Sequence, residues 1–259
     1  MKPAISPILY AVLLFLGMLL LLEAGRQLGI LRGSSASEAE RSGLNTVENA
    51  VLALFGLLMA FTFSGAAVRF NEKRILIADE ANAIETAYLR LHLLPVNEET
   101  KLQALFREYV DSRLSTYRTL PNLEAARGSM AETTRLQKQI WTDAVPATQL
   151  SKSHPDAGKL LLPALNSMFD ISTTRTMALQ NHPPKIVYGL LFALGLLCSL
   201  LAGYRMANGK RRSWLHILTF IVITVSIVYV MLNVEYPRAG LIRLESADRF
   251  LVLVRQGMD

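Results

Sequence analysis

Four stretches without a single Asp, Glu, Lys or Arg divide this 259-residue chain, and they limit its fold more than any other feature. Pro3–Leu22 lies between Lys2 and Glu23, and Asn49–Val68 between Glu48 and Arg69. Ile186–Tyr204 lies between Lys185 and Arg205, and Ser213–Val234 between Arg212 and Glu235. Each runs 19 to 22 residues. A hydrocarbon core of roughly 30 Å takes about 20 helical residues at about 1.5 Å each, so all four have spanning length. A charge at the centre of a span would cost about 2.5–3.5 kcal/mol, and none of the four carries one. The expected class is an all-α membrane protein with four transmembrane helices, in keeping with a mean hydropathy of +0.30. The first stretch also reads as a retained span. Leu22-Glu23-Ala24-Gly25 offers no small-x-small cleavage pattern, as a signal peptide would.

The charge distribution points the same way. The net charge is +6, yet 69–184 holds 14 basic against 13 acidic residues. The remaining excess (13 basic, 8 acidic) lies in termini and short connections, where membrane proteins carry topogenic charge. The implied partner is a lipid bilayer and not nucleic acid. One cysteine excludes a disulfide framework and a Cys-rich zinc site. An apolar content of 51% excludes disorder.

A 2+2 layout follows. Residues 1–48 are the first transmembrane helix and a polar connection, with Gly33-Ser34-Ser35-Ala36-Ser37 as a loop. Residues 49–68 are the second helix, and 69–184 a helical extramembrane domain. Residues 185–234 are the third and fourth helices, and 235–259 an amphipathic tail. In the domain, Ile77, Ala81, Ile84, Tyr88 and Leu91 recur at helical spacing, and Pro95 ends that helix. Leu102, Leu105, Phe106, Tyr109 and Tyr117 mark a second helix, broken near Pro121. Leu136, Ile140 and Trp141 mark a third, over about 122–143. Pro146, Pro155, Pro163 and Pro183-Pro184 divide the rest, with Leu160–Gln180 mostly helical. Val68 runs into Arg69-Phe70 without Gly or Pro, so the second span is expected to continue into the domain as one long helix.

Signatures of catalysis are missing. No HExxH, GxSxG or phosphate loop occurs, and Gly209-Lys210 lacks the preceding glycine of a P-loop. No cofactor and no metal site is expected. Cys198, among leucines in mid-span, reads as a small buried hydrophobe. His154 and His182, beside prolines, read as solvated. Adjacent carboxylates such as Asp79-Glu80 diverge around a helix and do not converge. The spans hold only mild polar groups, among them Asn49, Thr62, Ser64 and His216, too few for a proton relay or coupled transport. An enzyme is not expected.

After the second span the chain reads Arg69-Phe70-Asn71-Glu72-Lys73-Arg74, similar to the R-F-W-E-x-R run at the same exit in bacterial bestrophins. Glu80-Ala81-Asn82-Ala83-Ile84, Thr86-Ala87-Tyr88-Leu89-Arg90-Leu91 and Leu94-Pro95 resemble bacterial membrane proteins known only for a bestrophin-like domain. Glu235-Tyr236-Pro237-Arg238-Ala239-Gly240-Leu241-Ile242-Arg243-Leu244 fits that group as well, so the resemblance covers nearly the whole chain. Two departures stand out. Asn71 takes the place of the aromatic residue, and Glu235, Glu245 and Asp248 are too scattered for the calcium clasp of animal bestrophins.

The resemblance implies a homopentamer passing small inorganic ions passively through a central pore lined by the second span. Pore-lining candidates are Leu54, Leu58, Phe61 and Gly65 on one face, with Leu57 and Phe61 on an overlapping one. Phe61, common to both, is the candidate constriction, gating by dewetting. Alternatively Phe55, Phe61 and Phe63 face lipid or neighbouring helices. Ser64-Gly65-Ala66-Ala67 marks close helix approach. Below, Arg69, Glu72, Arg74, Asp79, Glu80 and Asn82 are candidates for rings of charge in a vestibule, the alternative being salt bridges within the domain. Basic residues beside the spans number nine on the side of the domain and termini against seven opposite. This slightly favours a cytoplasmic domain in a bacterial plasma membrane, as the resemblance does, although the Lys210-Arg211-Arg212 cluster pulls the other way. The competing function is a non-conducting membrane protein whose helical domain binds or senses a partner.

Overall fold

A computed structural model describes residues 6–31, 38–119, 122–208, 214–237 and 245–259. The 33–37 loop, Pro121, the 210–212 cluster and the tail residues 239–244 lie outside the described residues. The described chain is mainly helical, with no strand among the described residues. The helices are α1 (Pro7–Leu31), α2 (Glu38–Leu89), α3 (Val96–Thr119), α4 (Leu123–Ala147), α5 (Ala157–Gln180), α6 (Lys185–Arg205), α7 (Trp214–Glu235) and α8 (Glu245–Gln256). Four segments are long and apolar enough to cross a membrane: Pro7–Leu31, Asn45–Leu93, Ala157–Arg205 and Trp214–Glu235. The chain divides into two compact units, one built from 3–68 and 182–241, the other from 69–181 and 242–259.

In the first unit the closest backbone approaches join α1 to α6 and α1 to α7. Glycines make the first of these possible. A Cβ on Gly25 would run into the carbonyl oxygen of Leu200, and one on Gly203 into that of Leu22. Without side chains there the two backbones meet directly, the small-residue packing that operates where burial in lipid gains nothing from the hydrophobic effect. Met18, Leu191, Cys198, Ile221 and Met231 belong to the buried core of this unit. Cys198 is thus enclosed as a small apolar group. α1 outlasts the charge-free stretch, reaching Leu31, within the stretch expected to be a polar connection. Glu23 and Arg26 lie one turn apart at 3.8 Å, and Gly25 and Gly29 keep packing, so two charges at the helix end do not stop it.

The second unit is a helical domain around Ile84, Leu91, Leu102, Phe106, Tyr109, Ile140, Leu165 and Met168. Of the row expected from spacing, α2 brings Ala81, Ile84 and Tyr88 to this core, Leu91 follows in the next turn, and Ile77 is buried against Phe70. A 3-10 turn over Arg90–Leu93 ends this helix, with Leu94 extended at φ −99 and ψ 159. Proline at 95 imposes that conformation by clashing with a helical predecessor. Pro163 lies inside α5 instead of dividing it. Proline lacks the N–H that would bond one turn back. Near that gap Arg90 reaches across and donates to the carbonyl of Leu160 at 2.6 Å. α8 packs on α3: Leu251 and Met258 are buried, Arg255 meets Asp111 at 3.0 Å, and Arg107 donates to the Met258 carbonyl at 2.8 Å.

Candidate functional site

α2 is unbroken from Glu38 to Leu89, so a 3.6-residue period assigns each of its side chains to a face. Within the membrane-length unit one side is held by the bundle. Phe55 is buried and lies against the backbone of Gly195, while Thr62 and Ala66 are also buried. The opposite side is open. Leu54, Leu57 and Phe61 are 56%, 52% and 68% exposed, with Ser64 and Val68 continuing the row. Leu58 and Gly65 are half-buried at its edge, and Leu58 packs on the bundle core. Of the three phenylalanines, Phe55 belongs to the core, Phe61 to the open row and Phe63 to a different side of the helix.

In the helical domain the charged candidates separate in the same manner. Glu72, Arg74, Asp79 and Asn82 are exposed, and Arg69 is half-buried. Glu80 is different in kind: it is fully buried, and both its oxygens are engaged. Arg113 Nε donates to Oε1 at 2.5 Å and Arg175 Nη1 to Oε2 at 2.5 Å. The Tyr117 hydroxyl also donates to Oε2, at 3.1 Å. Arg113 contacts that hydroxyl and bonds the carbonyl of Ser172 at 3.3 Å, while the Arg175 guanidinium lies 3.4 Å from the Tyr117 ring centre. Here Glu80 is a strut joining α2 to α3 and α5, not a vestibule charge.

Electrostatics fix the protonation of Tyr117 and Arg113 in this cluster. Burial, reinforced by the Glu80 carboxylate, pushes the Tyr117 hydroxyl well up, so it stays a donor. For Arg113 burial acts against the charge, but the Glu80 carboxylate offsets it and keeps the guanidinium protonated. The partners of Glu80 were readable only in part. Arg113 and Arg175 each occupy a position in an otherwise uncharged helical row, Phe106–Tyr109–Arg113–Tyr117 and Leu161–Leu165–Met168–Ser172–Arg175. A charge at a core position is the signal. Pairing across helices has none.

His182 is a correction. It is not solvated: its Nδ1 lies 2.8 Å from Oε1 of Glu235, which is fully buried, and its ring stacks on Tyr236 at 4.6 Å. The pair joins the segment preceding α6 to the end of α7, inside the membrane-length unit. The segment is irregular, as its prolines suggested, with Pro184 at φ −52 and ψ 138, but it runs within reach of Glu235.

In a comparison with protein families, the model described as "Bestrophin-like domain" matches residues 31–248. The chain belongs to the bestrophin-like family. Comparison with curated proteins and with solved structures returned no match. The match runs from the end of α1 into α8, so it takes in the whole of α2, the Glu80 cluster and the His182–Glu235 pair of this bestrophin-like protein.

Proposed function

We propose that this bestrophin-like membrane protein is an ion channel of the bacterial plasma membrane, a homo-oligomer in which α2 lines a central pore. Membership of a family known for channels, and not for enzymes, supports this reading. The observation that carries it is the character of the open side of α2. A lipid-facing span exposes bulky aliphatics, as α1 does with Ile8, Leu9, Val12, Leu13, Leu16 and Leu20. The exposed side of α2 includes Ala53, Gly56, Ala60, Ser64 and Ala67 beside its larger residues. Small side chains bring nothing to a lipid contact, but they let another helix come close. Copies of α2 drawn together around an axis would enclose Leu54, Leu57 and Phe61 in an apolar constriction. Conduction is passive, with no cofactor. In the proposed 2+2 topology, 1–48 and 49–68 supply the first two spans and 185–234 the last two. The domain 69–184 and both termini face the cytoplasm. A reporter fused after Asp259 is expected to be active only in the cytoplasm; periplasmic activity reverses the orientation.

The test of the function is the subunit count of nanodisc-purified protein by native mass spectrometry, followed by ion flux from proteoliposomes. A pentamer with flux above that of empty liposomes is expected. A monomer or dimer has too few copies of α2 to surround a pore. That result would favour the other reading, a non-conducting protein whose helical domain binds a partner.

A further inference from the structure

We draw no further inference here: the strongest candidate, the exposed apolar side of α8 formed by Phe250 and Leu253 on the helical domain, carries none, because nothing in the structure shows what covers it.

Discussion

Glu80→Ala is expected to destabilise the helical domain by about 3–5 kcal/mol, the usual cost of removing one partner from a buried ion pair. Glu80 is fully buried: its carboxylate lies between Arg113 and Arg175 and accepts from Tyr117 as well. Alanine would leave the Arg113 guanidinium desolvated without the carboxylate that balances it. At about 2–4 °C per kcal/mol for a chain of this size, the loss corresponds to a fall in melting temperature of roughly 6–20 °C. Thermal melting of detergent-solubilised protein, followed by circular dichroism, measures it. A fall of only a degree or two would show that the cluster is not a strut. A second comparison separates charge from packing. Replacing Glu80, Arg113 and Arg175 together by Met or Leu removes all three charges and should restore much of the loss, because desolvating buried ions offsets most of what their attraction contributes. Glu80→Gln should fall between the two, keeping the shape and some of the hydrogen bonds.

Phe61→Ala is expected to raise single-channel conductance severalfold. Phe61 is the most exposed of the large residues in the open row of α2, and its ring would be repeated once per subunit around the pore. A narrow apolar ring resists wetting, and removing it lowers the barrier to a hydrated ion. Phe63→Ala is the control. Phe63 is also exposed but lies more than half a turn around the helix, so the same deletion there should leave conductance as it was. Equal conductance in wild type and Phe61→Ala, with the assembly intact, would place the constriction elsewhere. An increase in both variants would point to a general loosening of the helix.

The sequence by itself determined the class of this protein: charge-free runs of 19 to 22 residues have one stable use, and four long apolar helices are present. It also determined the inward row at the domain end of α2, since Ile77, Ala81, Ile84 and, in the turn past its end, Leu91 follow the helical period and are buried, with Tyr88 half-buried among them. The Arg69–Arg74 run and the motifs around it placed the chain beside bestrophin-like proteins, and the family match covers 31–248. Periodicity ranks residues around a single helix, but it does not say which side finds a neighbour. Only the tertiary structure decided that Phe55 belongs to the bundle and Phe61 to the open row, or that Leu58 and Gly65 sit at its edge. The same holds for charge. Glu80 and Asp79 are adjacent in sequence and of one chemistry, yet one is sealed between two arginines from α3 and α5 and the other is exposed. Those arginines lie 33 and 95 residues away along the chain, and such pairing depends on how helices cross, which no local pattern records. His182 and Glu235, 53 residues apart, meet for the same reason.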